Sequence, residues 1–348
     1  MTYLQAFIIA VVQGVTELFP VSSLGHSVLI PAWIGGSWQT MVTQSSQASS
    51  ETSFYLAYIV ALHCATALAL LWFFRADWAR IIRGLLTSLL RGLRERRLSI
   101  QGPDERLAWM IVIATIPVGL TGIALEHTFR TIFAKPAAAA VFLLVNGLIL
   151  LGAERLRRAR HPDRVPADAL AGRAPEGAPA ARVPAAAPAA TALRPASPGA
   201  HARRAGGRQR AEIGAAAASD ARIARLPMRD SLYIGVLQIA ALFAGVSRSG
   251  VTMAGGLWRG LDHEDAARFA FLLATPPILA AGVLKLPSLA GSAGAHIHGQ
   301  ILLGVIVTAI TAYLSVRFLV RWFQTRTLTP FAVYCLLFGA ASILRFAF

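Results

Sequence analysis

The chain has 348 residues, of which 55% are hydrophobic and only 14% are charged, and its mean hydropathy is +0.57. Because soluble domains carry roughly a quarter charged residues, this composition excludes a disordered chain and an ordinary cytosolic enzyme. The net charge of +16 resides mainly in Arg clusters without interleaved aromatic residues, which argues against nucleic-acid binding and favours basic loops of a multi-pass membrane protein.

The first part of the chain, residues 1–153, opens with an apolar region over residues 4–36. A Ser/Gly-rich break, Val21-Ser22-Ser23-Leu24-Gly25, interrupts this region. Since irregular backbone at membrane depth is tolerated only where protein or a wet cavity surrounds it, the region predicts a re-entrant helix pair. A polar insert at Ser37–Ser53 predicts an external loop. Three apolar segments of spanning length follow, at residues 54–74, 107–125 and 137–153.

Residues 154–230 have a different character, rich in Ala, Pro and Arg, and Arg157–Leu226 contains no Phe, Trp or Tyr. Such a segment cannot bury enough apolar surface to order itself, so it predicts a disordered cytoplasmic linker. An arm that binds a partner or anionic lipid is the alternative. The second part, residues 231–348, begins with an apolar region over residues 231–260 that is broken at Gly245–Gly250. Three more predicted spans follow, at residues 269–284, 301–320 and 331–348.

The arginines predict the sidedness of the membrane protein. Arg75–Arg106 holds eight Arg and Arg155–Arg229 holds fifteen, and two predicted spans separate these segments. They therefore share one side, which the positive-inside rule makes cytoplasmic. The first re-entrant pair then enters from outside and the second from the cytoplasm. This predicts an all-α integral membrane protein with an inverted-topology repeat, each half a re-entrant helix pair plus three transmembrane helices, with its working site near the midplane.

Ionisable groups at membrane depth are functional candidates, and the first broken region concentrates them. Gln13 and Glu17 are four residues apart on one helix face, where two oxygens can hold a divalent cation together with substrate oxygens. Bonds from these two side chains to neighbouring helices are the alternative. His26 follows a turn containing Ser22 and Ser23, which favours general acid/base work over a buried structural histidine.

The second broken region supplies the complementary charge. Arg248 lies between the hydroxyls of Ser247 and Ser249, with Thr252 just beyond, in a Gly-flanked helix start suited to phosphate oxygens. A permanent ion pair with Glu17 is the alternative for Arg248. Together, the two regions suit phosphoryl transfer. His63, in a predicted span, is interpreted as forming a helix–helix hydrogen bond rather than lining the site.

Both broken regions resemble one known family, the undecaprenyl-diphosphate phosphatases or bacitracin-resistance proteins. Its (E/Q)xxxE motif and following PVSS-x-GH resemble Gln13-Gly-Val-Thr-Glu17-Leu-Phe-Pro-Val-Ser-Ser-Leu-Gly-His26. Its PGxSRSxxT motif is similar to Gly245-Val-Ser-Arg-Ser-Gly-Val-Thr252, although Ala244 stands where the family usually has Pro. The resemblance covers both halves and skips the linker.

The resemblance implies a bacterial inner-membrane enzyme, its site open to the outer face, that removes the terminal phosphate of a C55 polyprenyl diphosphate for peptidoglycan synthesis, which confers bacitracin resistance. It implies Mg²⁺ or Ca²⁺ as cofactor, with Gln13 and Glu17 at the metal and acid motif. Ser23 and His26 fall at nucleophile or base positions. The implied diphosphate-binding residues are Ser22, Ser247, Arg248, Ser249 and Thr252. Attack by Ser23 or by water stays open, as does a homodimer.

Three other functions fit parts of the same sequence. A transporter or flippase could use the same inverted repeat. A phosphatidic-acid-type phosphatase shares the piece Ser23–His26 but needs a histidine soon after its Ser-Arg pair, and the next one here is His263. A membrane scaffold would work through the Arg-rich linker. The clustering of acid, hydroxyl, imidazole and guanidinium favours the phosphatase.

Overall fold

The regular structure in the computed structural model is helical throughout the residues that it describes, 1–47, 54–97, 99–133, 135–160, 214–290 and 297–347. Six helices in these ranges are long and apolar enough to cross a membrane, so the chain is an all-α, multi-pass membrane protein. The membrane-crossing parts are Phe54–Phe73, Pro103–Leu125, Pro136–Arg160, His263–Leu284, His298–Thr325 and Thr329–Phe346.

The first half of the described chain contains α1 to α7 and the second half α8 to α13. The first seven helices are α1 Tyr3–Thr16, α2 Ser23–Ile34, α3 Ser37–Gln47, α4 Phe54–Phe73, α5 Arg75–Glu95, α6 Pro103–Phe133 and α7 Pro136–Arg160. The others are α8 at residues 214–223, α9 Met228–Leu237, α10 Arg248–Trp258, α11 His263–Ala290, α12 His298–Thr325 and α13 Thr329–Ala347. A short 3₁₀ helix, Gln238–Leu242, follows α9.

The first broken region forms a helical hairpin. Thr2 and Gln5 start α1 with a capping box, in which each side chain bonds the backbone N–H of the other. With 14 residues, α1 is about 21 Å long, short of the roughly 30 Å hydrocarbon core. The Gln5 Nε2 donates to Ser37 Oγ at 3.4 Å. This bond joins the start of α1 to the first residue of α3, just after the end of α2. Both ends of the hairpin therefore lie together.

The second broken region forms a hairpin of the same kind. Arg259, which follows α10, pairs with Asp230 of α9 at 3.5 Å. Its guanidinium also stacks over the Tyr233 ring of α9, 4.2 Å from the ring centroid. The start of α9 and the end of α10 are thus held together, while the break between them lies at the far end of the hairpin.

Two segments predicted as connections are helical. The polar insert after the first hairpin contains α3, because Met41 and Val42 give this helix a buried apolar side, with 5% and 8% of their surfaces exposed. The basic segment after the first span contains α5, whose apolar and charged residues separate onto different faces. Composition indicated the connections but not their helices.

The prediction that residues 154–230 form a disordered linker is wrong at both described ends of this segment. At its start, α7 continues to Arg160, and near its end α8 is helical and packed. Asp220 of α8 is buried and accepts bonds from Arg80 and Arg268, while Ile223 is fully buried. These specific contacts stabilise α8 although the segment lacks aromatic residues. Residues 161–213 lie outside the described residues.

The helices pack so that the two breaks meet beside α7. The α7 helix packs along α13 and also contacts α2 and α10, which each begin at one of the breaks. Helix α1 packs against α12, and α9 packs against α6. Helix α4 fills the space between α11 and α12. This arrangement brings residues from Gln13 to Arg248 into one region.

Candidate active site

The two breaks touch through a serine and two glycines. The Ser22 hydroxyl accepts hydrogen bonds from the backbone N–H of Gly25 and from that of Gly245, each at 3.2 Å. Ser22 itself has a left-handed backbone, with φ of 71°. A Cβ atom on Gly25 would lie 2.9 Å from the Gly245 Cα, so a side chain at this position would push the breaks apart.

Asn146 of α7 fixes the two breaks from behind, a role that the sequence interpretation missed. The side chain is fully buried, and its Nδ2 donates to the Pro20 carbonyl at 3.0 Å. Its Oδ1 accepts from the Ser247 N–H, also at 3.0 Å. One amide therefore bonds both breaks. The available signal was a lone amide in an apolar span, since polar residues at membrane depth are costly.

Glu17 is the buried acid of the site, with 9% of its surface exposed. Its Oε2 accepts from Gln13 Nε2 at 3.1 Å and from the Ser23 hydroxyl. The structure thus brings together three residues that the sequence predicted for the site. Ser23 presents its hydroxyl proton directly to the carboxylate, as a nucleophile presents its proton to a general base.

His63 of α4 belongs to the same cluster. Its Nε2 lies 3.3 Å from Glu17 Oε2, and its Nδ1 bonds the Ile59 carbonyl at 2.8 Å. The helix–helix hydrogen bond that the sequence favoured is therefore made to the acid of the site. Sequence reasoning placed His63 outside the site because spacing along the chain does not show that α4 packs beside Glu17.

His26 is buried in α2 close to this cluster but points to other partners. Its Nδ1 lies 2.7 Å from the Ser22 carbonyl oxygen, and its Nε2 lies 2.8 Å from the Tyr334 hydroxyl of α13. A carbonyl can only accept, so Nδ1 carries the proton and Nε2 accepts from Tyr334. Both ring nitrogens are therefore bonded, and the role of His26 in proton transfer stays a prediction.

The second break forms a polar loop at the start of α10. The Ser247 hydroxyl caps α10 by accepting from the Gly250 N–H at 3.1 Å and lies 3.0 Å from the Ser249 hydroxyl. Both hydroxyls also lie within bonding distance of the Phe19 carbonyl, at 3.4 and 3.3 Å. The Thr252 hydroxyl donates back to the Arg248 carbonyl at 2.7 Å. Four of the five predicted diphosphate-binding residues thus lie together at a helix N-terminus, while Ser22 caps α2 and bonds this loop through the Gly245 N–H.

Arg248 lies in this loop and forms no salt bridge with the described residues. Its Nε and Nη1 are buried and have no hydrogen-bond partner in the described part of the chain. The guanidinium is close enough to interact electrostatically with Glu17 and His63, yet no ion pair joins it to Glu17 among the described residues. The alternative of a permanent Glu17–Arg248 pair is therefore not what the structure shows. A buried donor without an acceptor costs free energy, and a bound anion would accept hydrogen bonds from both nitrogens.

The oxygens of Gln13 and Glu17 meet the requirements of a divalent cation only in part. Gln13 Oε1 is buried next to the Glu17 carboxylate and has no hydrogen-bond partner among the residues that the structure describes. No group of three His, Cys, Asp or Glu gathers anywhere in the described ranges. Since Mg²⁺ usually keeps waters and binds through one or two carboxylates plus substrate phosphates, these residues fit an ion shared with a phosphate ligand. The divalent cation stays a prediction.

The chain is similar to known proteins over its whole length. The family described as bacitracin resistance protein BacA matches residues 6–172 and 204–341. The chain is 57% identical to undecaprenyl-diphosphatase 2 of Frankia alni, over 100% of this chain and 98% of that protein. It is 50% identical to the undecaprenyl-diphosphatase of Mycolicibacterium paratuberculosis, over 100% and 98%. The corresponding protein of Acidiphilium cryptum is 38% identical, over 100% and 99%.

Proposed function

We propose that this chain, which belongs to the bacitracin resistance protein BacA family, hydrolyses undecaprenyl diphosphate to undecaprenyl phosphate and inorganic phosphate. The reaction recycles the lipid carrier for peptidoglycan synthesis in the bacterial inner membrane. The observation that carries the site assignment is Arg248, whose buried Nε and Nη1 have no hydrogen-bond partner among the described residues. It lies near a carboxylate that already bonds a serine hydroxyl.

Substrate binding in this proposal depends on the second break. The Arg248 fork bonds the phosphate oxygens, and the N-terminus of α10 adds its dipole and the hydroxyls of Ser247 and Ser249. The prenyl chain stays in the lipid. The charge of Arg248 also stabilises the transition state, since phosphoryl transfer depends mainly on positioning and charge neutralisation.

The chemical step uses the first break. The Ser23 oxygen, or a water in its place, forms a bond to the terminal phosphorus while the bond from phosphorus to the bridging oxygen breaks. Glu17 takes the proton from the attacking group, and undecaprenyl phosphate leaves with the electron pair. In the covalent branch, water then hydrolyses the phosphoserine. Gln13 and His63 hold the Glu17 carboxylate in place, and His26 holds Ser22.

A divalent cation, Mg²⁺ or Ca²⁺, fits this scheme as an ion that oxygens of both the protein and the substrate would coordinate. Gln13 Oε1 and Glu17 would hold it together with oxygens of the diphosphate. When bound, such an ion neutralises charge on the phosphates. The steps assigned above to Ser23, Glu17 and Arg248 are the same with or without it.

The proposed topology is the inverted repeat, and contacts between the ends of different helices support it. On the side of α3, Gln300 of α12 donates to the Met1 carbonyl at 3.2 Å. On the other side, Glu154 of α7 bonds His263 at 2.5 Å and the Leu328 N–H at 2.7 Å. These contacts place the helix ends that the repeat assigns to one side of the membrane next to each other. The Arg-rich side is proposed to be cytoplasmic, so the active site opens to the outer face.

The proposed binding of phosphate by Arg248, called the Arg248 clamp below, is tested by phosphate release from a C55 diphosphate in detergent. Arg248→Ala should lower kcat/KM at least ~100-fold, because removing one preorganised donor to developing charge costs about that much. Arg248→Lys should recover part of it, since Lys keeps the charge and loses the fork. Arg321→Ala, at an exposed position of α12, is the matched control and should stay close to wild type.

Near wild-type turnover of Arg248→Ala would overturn the Arg248 clamp. A flippase built on the same repeat would instead move lipid in liposomes without releasing phosphate. A homodimer stays a prediction, which sizing of the purified protein would test.

A further inference from the structure

Helix α5 is long but is not one of the six apolar spanning helices in the described ranges. One of its faces packs on the start of α6, where Trp109 Nε1 donates to Ser88 Oγ at 2.9 Å. Two arginines on this side are neutralised. Arg80 bonds Asp104 at 3.0 Å, and Arg91 pairs with Glu105 at 2.8 Å. This face of α5 is therefore satisfied within the protein.

A second face of α5 is apolar and uncovered. Its members lie three or four residues apart or directly beside one another on the helix surface, and 39% to 78% of each is exposed. They are Ile82, Leu86, Leu89, Leu90 and Leu93. A row of five large exposed apolar side chains on a helix outside the six spanning helices indicates a surface that contacts lipid or another protein.

An edge of basic residues runs beside this apolar row. Arg83 and Arg94 are eleven residues apart, which is about three helical turns, so they project from the same edge. Both are exposed, and neither pairs with a carboxylate among the described residues. Arg96 and Arg97 extend the positive charge beyond the end of α5. The pattern is the reverse of Arg80 and Arg91, whose charges the protein itself neutralises.

The apolar surface continues beneath α5 as a groove of about 520 Å³ between α5, α6 and Pro276 of α11. Trp78 and Leu85 of α5 line it, and it follows α6 from Ala108 to Ile123, about 22 Å along the helix. This exceeds half of the roughly 30 Å hydrocarbon core. The space beneath α5 thus opens to acyl chains.

We propose that α5 is an interfacial helix that binds anionic phospholipids. Its apolar row lies among the acyl chains, and the edge of Arg83 and Arg94 bonds the lipid phosphates. This separation of apolar and basic sides on one helix is what in-plane amphipathic helices use, and paired basic residues attract anionic headgroups. The site is separate from the proposed active site.

The test compares phosphatidylglycerol with phosphatidylcholine bound to the full-length purified protein, counted by native mass spectrometry during lipid titration. The wild type should prefer phosphatidylglycerol, and added salt should weaken that preference. The double variant Arg83→Gln/Arg94→Gln should bind phosphatidylglycerol about thirty-fold more weakly, or ~five-fold for each arginine. Arg155→Gln/Arg158→Gln is the charge-matched control on exposed residues at the end of α7.

The control should lose less than about two-fold, and both double variants should release phosphate from a C55 diphosphate as the wild type does. Equal weakening in both double variants would mean that net charge, not α5, attracts the lipid, and would overturn the proposal. Equal binding of the two lipids by the wild type would also overturn it. So would an unchanged affinity of Arg83→Gln/Arg94→Gln for phosphatidylglycerol.

Discussion

At the scale of single residues, Glu17 is defined by the donors around it. Gln13, Ser23 and His63 all approach the same carboxylate oxygen. A carboxylate that accepts several hydrogen bonds is held in one orientation, which suits a group that must take a proton at a fixed place. Of the three, Ser23 contributes a hydroxyl, whose oxygen can attack phosphorus when its proton passes to Glu17.

Replacing Ser23 with Ala tests whether this hydroxyl attacks the diphosphate. We expect Ser23→Ala to lower kcat at least ~100-fold, because the proton-transfer pair of Ser23 and Glu17 is lost. Ser27→Ala is the matched control, since the Ser27 hydroxyl bonds two backbone carbonyls of α2, at 2.8 and 3.3 Å, and no other described residue. The assay is phosphate release, with acid quenching to trap a phosphoenzyme. Appreciable turnover of Ser23→Ala would exclude a seryl intermediate and leave water as the attacking group.

The residue types at the site could be predicted from the sequence, because Glu17 and Arg248 are costly in a membrane unless they have a function. Their partners could not. Tyr334, which bonds His26, lies 308 positions away, and His63 reaches Glu17 only through the packing of α4. Such contacts depend on how helices pack, which local spacing does not encode.

At the scale of elements, the two helical hairpins depend on α7. The breaks between α1 and α2 and before α10 are irregular backbone inside an apolar protein, so their polar groups need partners. Asn146 supplies one partner to each break. The Ser/Gly-rich breaks were predictable from composition, but the helix that joins them was not, because Asn146 lies in a sequence that otherwise indicates a plain span.

Replacing Asn146 with Ala tests whether α7 sets the distance between the breaks. We expect Asn146→Ala to lower kcat/KM about 10- to 100-fold, since a displacement of about 1 Å in a catalytic site has effects of this size. Its cost to stability should be about 1–3 kcal/mol for the unsatisfied groups. Kinetics and thermal unfolding in detergent measure the two effects.

The control is Ser231→Ala, which removes another fully buried interhelical bond, from Ser231 Oγ to the Met110 carbonyl at 2.8 Å. It should lower stability to a similar degree and leave kcat unchanged. If both variants lose activity in proportion to stability, Asn146 has no separate positioning role.

At the scale of the whole molecule, polar contacts collect at two ends. One end holds the start of α1, the α2–α3 turn and the start of α12, joined by Gln5 and Gln300. The other end is joined by ion pairs, among them Arg268 with Asp77 at 2.9 Å and with Asp220 at 2.7 Å. The arginines predicted which segments share a side, but the sequence could not show that α8 is tied to this end, because its partners lie on α5 and α11.

Cysteine labelling tests which end faces the cytoplasm. Thr40→Cys places a thiol on exposed α3, and Arg229→Cys places one where the native side chain is 87% exposed, at the start of α9. If the proposed topology is correct, an impermeant maleimide should label Thr40→Cys in intact spheroplasts and Arg229→Cys only after permeabilisation. The parent chain is the control, because Cys64 is partly buried and Cys335 fully buried within helices. Labelling of both variants from one side would contradict the inverted repeat, whereas a complete exchange of sides would keep the repeat and reverse its orientation.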